Sequence, residues 1–425
     1  MRYIADLHIH SKYSRACSKD LDIPHINQWA KIKGIDIVGS GDFTHPAWLK
    51  HLKENLVPAL PGLFKLTSPS PLLKKDGDDS VLFMLTTELS CIYSQGGKVR
   101  RIHLCIFAPD FATIDQIIVE LEKRKVNLKS DGRPIMGLSA IELTKIILGV
   151  NPRCLVIPAH AWTPWFSVFG SNSGFNTLEE CFGEMTKHIY AIETGLSSDP
   201  AMNWRLSALD KITLISNSDA HSLPNLGREA NVFEISENEI SYDEIYQIIK
   251  NKDQKSFLYT IEFFPEEGKY HFDGHRDCDV CLSPVQSKKL KEICPVCKKD
   301  LTVGVLSRVE ELADRPIDFK PDTIGYKSLV PLAEIIADVL EVGKSSKKVN
   351  QHYLDLISKG GSEFKILLDL TKEELNKITL PEIALAIINV RQGKVVVKPG
   401  FDGKYGVVEI IDKKQNFKPK QKSLF

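Results

Sequence analysis

The sequence predicts an α/β fold in which seven strands form a parallel barrel, a relative of the eight-stranded one, and three observations carry that expectation. Short β-rich runs recur through the first two-thirds of the chain, plausible helices separate several of them, and ligand-type side chains fall at or near their C-terminal ends. The runs are Tyr3–His10, Ile35–Asp42, Val81–Glu88, Arg101–Phe107, Cys154–His160, Ile189–Glu193 and Ile212–Asp219. Between them, Pro24–Lys33 opens with proline in the first turn and stops at Gly34, the usual helix punctuation. Ile114–Lys125, Ser139–Leu148 and Leu178–His188 carry apolar residues at helical spacing.

One pair of runs breaks the parallel pattern. The link from Glu88 to Arg101 contains Gly96-Gly97 and is too short for a helical crossover. An antiparallel pairing there would set His103, near the start of its strand, beside Glu88. Past about residue 268 the texture changes. The expected divisions are a barrel at 1–268, a four-Cys module at 269–303, an accessory DNA-binding domain of α+β character at 304–411, and a flexible basic tail at 412–425.

Composition bounds the class. The 425 residues carry 55 basic and 55 acidic side chains, for a formal net charge of zero, with 43% hydrophobic residues. That is ordinary globular material, and a neutral total leaves local basic patches free to meet nucleic acid. No apolar run approaches membrane-spanning length, and the N-terminal MRYIADLHIH lacks a charged leader followed by an apolar run. The nine cysteines include one close quartet, an odd total that points to a reducing compartment and a metal site rather than disulfides. A cytoplasmic protein without a membrane partner is expected.

The chemistry sits in His8-x-His10, Asp42-x-x-His45, Glu88, His103, His160, Glu193 and Asp219-x-His221. In an extended chain an HxH pair puts both rings on one side, able to grip a single ion. Any one of these residues also has a plain explanation as a helix cap or a core pair. Ligand types ending seven consecutive strands have none. Phosphodiester hydrolysis needs a hydroxide nucleophile, neutralised phosphoryl oxygens and a stabilised alkoxide, all of which clustered divalent metals supply. Imidazole and carboxylate donors suit zinc or manganese alike.

The segments ADLHIHSKYS, GSGDFTH, TTELS, HLCIF, PAHAWTPW, IETG and NSDAH resemble the polymerase-and-histidinol-phosphatase (PHP) family of metal-dependent phosphoesterases. The resemblance implies a distorted (β/α)7 barrel with two or three metals. By it, His8, His10, Glu88 and Asp219 would hold one ion, and Glu88 would bridge to a second held by His103 and His160. Asp42, His45 and His221 are candidates for a third. The sequence departs from the commoner pattern by spacing Asp42 and His45 apart instead of adjacent, which leaves that third site and Glu193 open. With the four-Cys module, the C-terminal domain and the RPIDFKPDTIGYKSLVPL stretch, the chain is similar to the endonuclease Q family of DNA-repair nucleases. That implies incision 5′ to deaminated bases (uracil, hypoxanthine, xanthine) or abasic sites, with damaged DNA as partner and Asp219 and Glu88 at the catalytic centre. A small-molecule phosphatase akin to histidinol phosphatase is the alternative, disfavoured by the extra C-terminal third. A DNA-binding adaptor that has lost catalysis is a third reading, against which the nearly full ligand set argues.

Cys278-x2-Cys281-x12-Cys294-x2-Cys297 predicts a closed, structural zinc, with His275 as a neighbour the ion does not need. Lys288, Lys289, Lys291, Lys298 and Lys299 around it either meet phosphates or form a solvated loop. After His160, an aromatic loop offers Trp162 and Trp165 as stacking faces for an unstacked base, or as packing against the barrel. Arg228 is a candidate phosphate clamp or an ordinary salt bridge. Gly343-Lys344-Ser345 is no phosphate loop, because Asp338 stands where a second glycine is required. The terminal Gln421, Leu424 and Phe425, on a lysine-rich tether, resemble a sliding-clamp docking peptide.

Overall fold

The computed structural model describes residues 1–67 and 81–410, in two compact units. The first comprises Met1–Lys327 with Lys398–Val407. Its frame is seven strands: β1 (Arg2–Asp6), β2 (Ile37–Gly39), β3 (Leu82–Gln95), β4 (Lys98–Ala108), β5 (Leu155–Pro158), β6 (Ala191–Glu193) and β7 (Thr213–Ile215). All seven predicted runs therefore contain a strand, most of them shorter than expected. β1, β2 and β3 are parallel, β4 runs antiparallel between β3 and β5, and β6 and β7 form a separate parallel pair.

The continuous ladder runs from β1 to β5 and stops. At one seam the Ala161 N–H donates to the Glu193 carbonyl, 2.9 Å. At the other, Ile9 bridges Ala220 and the His10 N–H donates to the Ala220 carbonyl, 3.1 Å. The expected barrel is thus an interrupted ring. The reason lies in β1, whose outer edge pairs antiparallel with β8 (Ala230–Glu234), itself paired with β9 (Phe257–Glu262). Neither strand was among the predicted runs. Where β1 leaves β8, buried amides replace the ladder. Asn217 Oδ1 accepts from the Leu7 N–H (2.8 Å) and from Asn231 Nδ2 (3.0 Å), while Asn231 also donates to the Ser216 carbonyl (2.8 Å).

Helices pack on this frame with ordinary local signals. α1 (Ile23–Lys33) is capped by Asp22 and ends on left-handed Gly34; α2 (Pro46–Asn55) starts on proline; α3 (Phe111–Lys123) is capped by Asp110. α4 (Ala140–Val150) carries a capping box from Ser139 and Glu142. The core gathers Ala5, Leu7, Ile37, Met84, Phe107, Ile157, Ala191 and Ile215 with Tyr242, Ile245 and Ile249 from α5 (Tyr242–Asn251).

The second unit, Ser328–Val397 with the segment from Val408, is mainly helical. Leu332–Leu340, Lys347–Gly360, Lys372–Ile378 and Pro381–Arg391 bury Leu332, Ile335, Ile336, Leu356, Leu375, Ile383 and Ile387. Arg391 donates to the carbonyls of Ile366, Leu367 and Leu370, closing the exposed end of the π-helical turn Lys365–Asp369. The terminal Gln421, Leu424 and Phe425 lie outside the described residues. Among the described residues no helix is long and apolar enough to cross a membrane.

Behind the ring, Glu262 on β9 is fully buried, with Oε2 accepting from Thr194 Oγ1 (3.0 Å) and Ser216 Oγ (3.1 Å). Burial, reinforced by the charge of Asp199, pushes its pKa up to about 8. A folded-state pKa above the unfolded value contributes stability that is complete below the unfolded pKa and is lost as pH rises through the folded one. Glu262→Gln should therefore melt above wild type at pH 9, by at least about 1–2 °C, the shift for 1 kcal/mol at this size, and close to it at pH 5. Equal melting-temperature differences at the two pH values in thermal denaturation would refute the protonated-carboxyl reading.

Candidate metal centre

Strand ends bring the ligand-type residues to one place. The extended run Leu7–His10 beyond β1 alternates, so His8 and His10 share a side, both buried. The β3–β4 hairpin pairs Glu88 with Cys105 and Ser90 with His103, which carries His103 Nδ1 to 2.7 Å from Glu88 Oε1. Asp42, His160 and Asp219, each just past a strand, have φ of 47°, 31° and 47°. Left-handed backbone at three non-glycine residues of one site is strain held in place by its surroundings.

Besides His8 with Cys105 and Glu193, two donor groups result, and Glu88 belongs to both. Its Oε2 lies 3.3 Å from His10 Nε2 and 3.7 Å from His8 Nε2; Asp219 Oδ1 lies 3.1 and 3.8 Å from the same two nitrogens. Its Oε1 faces the second group, 3.1 Å from His160 Nε2, which is itself 3.3 Å from His103 Nδ1. His8 Nε2, His10 Nε2 and Asp219 Oδ1 are buried without a hydrogen-bond partner, although buried polar atoms are ordinarily satisfied. Three convergent orphan donor atoms of imidazole and carboxylate type fit a divalent cation.

The far side of each imidazole is fixed. His8 Nδ1 meets Glu193 at 3.0 Å, and Glu193 also accepts from the His160 N–H (2.8 Å) and Asn217 Nδ2 (3.0 Å). His10 Nδ1 meets Asp42 at 3.0 Å, and Asp42 Oδ2 accepts from the Ser11 N–H and hydroxyl, both 2.7 Å, and from the Ser14 hydroxyl, 2.8 Å. Carboxylates behind ligand histidines orient the rings and raise their basicity. Glu193 and Asp42 thereby take up positions outside the two groups. His221 Nδ1 sits 2.9 Å from the Asp219 carbonyl, and His45 stacks on Tyr13, ring centroids 4.4 Å apart. Asp42, His45 and His221 are not gathered into a third group among the described residues.

Electrostatics keeps the carboxylates ionised. Burial alone would raise the Glu88 and Asp219 pKa values, but His103 and Arg133 hold Glu88, and His10 and His8 hold Asp219, well below the ordinary range. Burial lowers the His103 pKa to about 4, leaving a neutral ring with a lone pair to offer.

Other predicted residues land elsewhere. Trp162 is buried, donates from Nε1 to Asn203 Oδ1 at 2.8 Å and packs on Phe169, so it presents no stacking face. Trp165 is partly exposed, edge-on to Tyr270. Arg228 donates from Nε to the Ser218 carbonyl, 2.8 Å, and so helps hold the turn that carries Asp219. Asp6 supports the same turn, accepting from the Ser218 and Gly227 N–H groups at 3.0 and 2.9 Å. Arg133, which sequence reasoning did not single out, reaches Glu88 Oε2 from a loop, 2.9 Å away.

The cysteine module gathers three thiols and an imidazole: Cys278, Cys294, Cys297 and His275, with His275 Nε2 3.8 Å from Cys297 Sγ. Cys281 stands outside, its Sγ 3.9 Å from the Pro399 carbonyl. The hairpin Asp273–His275/Val280–Leu282 explains the exchange. Val280 and Leu282 pack with Cys278, Cys294 and Cys297, so strand alternation turns Cys281 to the other face. His275 and Cys278 are then the pair that stands with Cys294 and Cys297.

Two expectations follow from these contacts. Glu193→Gln should weaken manganese binding roughly 10- to 100-fold, the usual effect of losing a ligand's outer partner; wild-type affinity by calorimetry would remove its orienting role. In the module, Cys281→Ser should retain one zinc per chain by elemental analysis while His275→Ala loses it. The reverse pattern would restore the four-thiolate arrangement.

The family model described as the MJ0043 C-terminal domain matches residues 331–394. An uncharacterised Methanocaldococcus jannaschii protein, MJ0043, is 33% identical over 264 residues, which cover 62% of this chain and 32% of that protein. The chain thus spans about a third of that relative's length. Bacillus subtilis YqxK, also uncharacterised, is 28% identical over 95% of this chain and 98% of its own. Two solved structures superpose nearly end to end. The lesion-specific endonuclease PfuEndoQ from Pyrococcus furiosus has a TM-score of 0.83 and 32% identity, covering 96% of both chains. Endonuclease Q in complex with a 27-mer duplex bearing an abasic lesion at its active site has a TM-score of 0.85 and 32% identity, covering 100% of both. On identity and coverage of this order, the chain belongs to the endonuclease Q family.

Proposed function

We propose that the chain is a metal-dependent DNA endonuclease that cuts the phosphodiester 5′ to a deaminated base (uracil, hypoxanthine or xanthine) or an abasic site. The observation that carries the reading is the division of Glu88 between two donor groups, one oxygen facing each. Two divalent ions there, manganese or zinc, would supply Lewis acidity toward the phosphoryl oxygens and a nucleophile at neutral pH. His8, His10, Glu88 and Asp219 would hold one, and Glu88, His103 and His160 the other.

The chain's own residues set the direction of approach. His10 and Glu88 have fully buried side chains, whereas those of Asp219 and His221 are 27% and 31% exposed. Substrate therefore enters over Asp219 and His221. Trp165, partly exposed beyond His160, is the aromatic candidate for a base taken out of the stack. Lys288, Lys289, Lys291, Lys298 and Lys299 are exposed and able to meet backbone phosphates.

The test is strand scission of end-labelled duplexes, each with one uracil, hypoxanthine, xanthine or abasic site, beside an undamaged control. Wild type with manganese or zinc should give one cut immediately 5′ to the lesion, leaving 3′-hydroxyl and 5′-phosphate ends. Asp219→Ala should lower the rate at least about a hundredfold, beyond the loss typical for an outer partner. Release of phosphate from small monoesters without any DNA cleavage would instead make the protein a phosphatase. Binding of lesion DNA without a cut under any metal would make it an adaptor.

A further inference from the structure

We infer that Arg133 is a substrate-contacting residue whose guanidinium clamps the non-bridging oxygens of the scissile phosphate; this rests on the phosphodiesterase reading above. The first argument is how tightly its backbone is placed. The Gly132 N–H donates to the Tyr13 carbonyl, 3.0 Å, and Asp131 Oδ1 accepts from the Arg15 and Arg133 N–H groups at 3.3 and 3.0 Å. On the far side, the Pro134 carbonyl accepts from the Ser90 N–H, 3.1 Å, and Ile135–Met136 pair in parallel with Ser90–Cys91 of β3. Gly132 is wedged so closely that a Cβ would lie 2.3 Å from both Asp42 Oδ2 and Ser14 Oγ. The loop is thus clamped against the same Asp42 that orients His10.

The second argument is where the side chain ends. Nη1 donates to Glu88 Oε2, the oxygen that faces the His8, His10 and Asp219 group, and 24% of the Arg133 side chain is exposed. A guanidinium has five N–H donors in a planar fork matched to phosphate, and its bond to Glu88 uses one corner of that fork. A cation on Glu88 Oε2 would compete for the same oxygen and leave the fork more available to an anion. Arg228, the other arginine near Asp219, has Nε on the Ser218 carbonyl and Nη2 3.5 Å from the Asp219 carbonyl, so two of its three nitrogens face backbone. A fixed positive group beside the transferring phosphoryl stabilises the charge that grows on its oxygens.

The decisive experiment is a calorimetric titration of the manganese-loaded protein with inorganic phosphate, run on wild type, Arg133→Ala and Arg133→Lys, with manganese content measured on each. The expected result is unchanged manganese content and phosphate binding weakened roughly tenfold to hundredfold in the alanine variant, the value of a charge-assisted hydrogen bond. The lysine variant should fall between, since it keeps the charge but not the fork. Single-turnover cleavage of abasic duplex should drop about 10²- to 10³-fold in Arg133→Ala, the loss typical of removing a transition-state donor, and recover in part on adding guanidinium. Phosphate binding within about threefold of wild type, absence of phosphate binding by the wild type itself, or a loss that tracks missing manganese would overturn the inference; the last would leave Arg133 as the counter-ion of Glu88. If the wild type cuts no lesion DNA, the proposed function falls, while the phosphate titration still decides the role of Arg133.

Discussion

A buried carboxylate, Glu88, has to be neutralised from two directions, and the active end of the molecule is arranged around that requirement. An ionised group out of water is tolerated only among paired, hydrogen-bonded partners. Glu88 has His103 and His160 on one oxygen, and His10, His8 and Arg133 on the other. These partners come from four places: the run after β1, strand β4, the end of β5 and the loop that carries Arg133. The antiparallel β3–β4 hairpin is the departure from parallel order that makes this possible, because it sets His103, in the middle of β4, opposite Ser90 and beside Glu88.

A second layer converts this crowd of imidazoles into a fixed geometry. Asp42 and Glu193 are withdrawn behind His10 and His8, and Asp6 and Arg228 hold the turn that presents Asp219. The left-handed backbone at Asp42, His160 and Asp219 is a cost of roughly 1–3 kcal/mol each that such contacts must outweigh. Asp6 and Glu193 stand on β1 and β6, and Asp42 and Arg228 within three residues of β2 and β8, so the support is anchored close to the frame.

Much of this was legible in the sequence, for reasons that also explain what was not. Strand ends could be read because polar ligand types interrupt apolar runs, and the reversal at Gly96-Gly97 because loop length forbids a crossover. β8 and β9 were missed because Ala230–Glu234 and Phe257–Glu262 follow the last ligand residue and carry no chemistry of their own. The placing of Glu193 behind His8 and of Asp42 behind His10 was not legible, because residue type does not distinguish a donor from the group behind it. Cys281 was misread because a Cys-x2-Cys spacing says nothing of which strand face each thiol occupies. Trp162 and Arg133 depend on tertiary contacts more than 40 residues away in sequence, to Asn203 and Glu88 respectively, and no local pattern encodes those.

The two seams of the ring have a mechanical meaning. A closed cylinder resists changes of circumference, whereas one slit along its wall gives at the slit. Here the slits fall beside His8, His10, His160 and Glu193, where single hydrogen bonds and the amides of Asn217 and Asn231 take the place of a ladder. A cage of that kind is not a rigid gauge of ionic radius. Discrimination among cations would then rest on the hardness of its nitrogen and oxygen donors more than on a fixed radius.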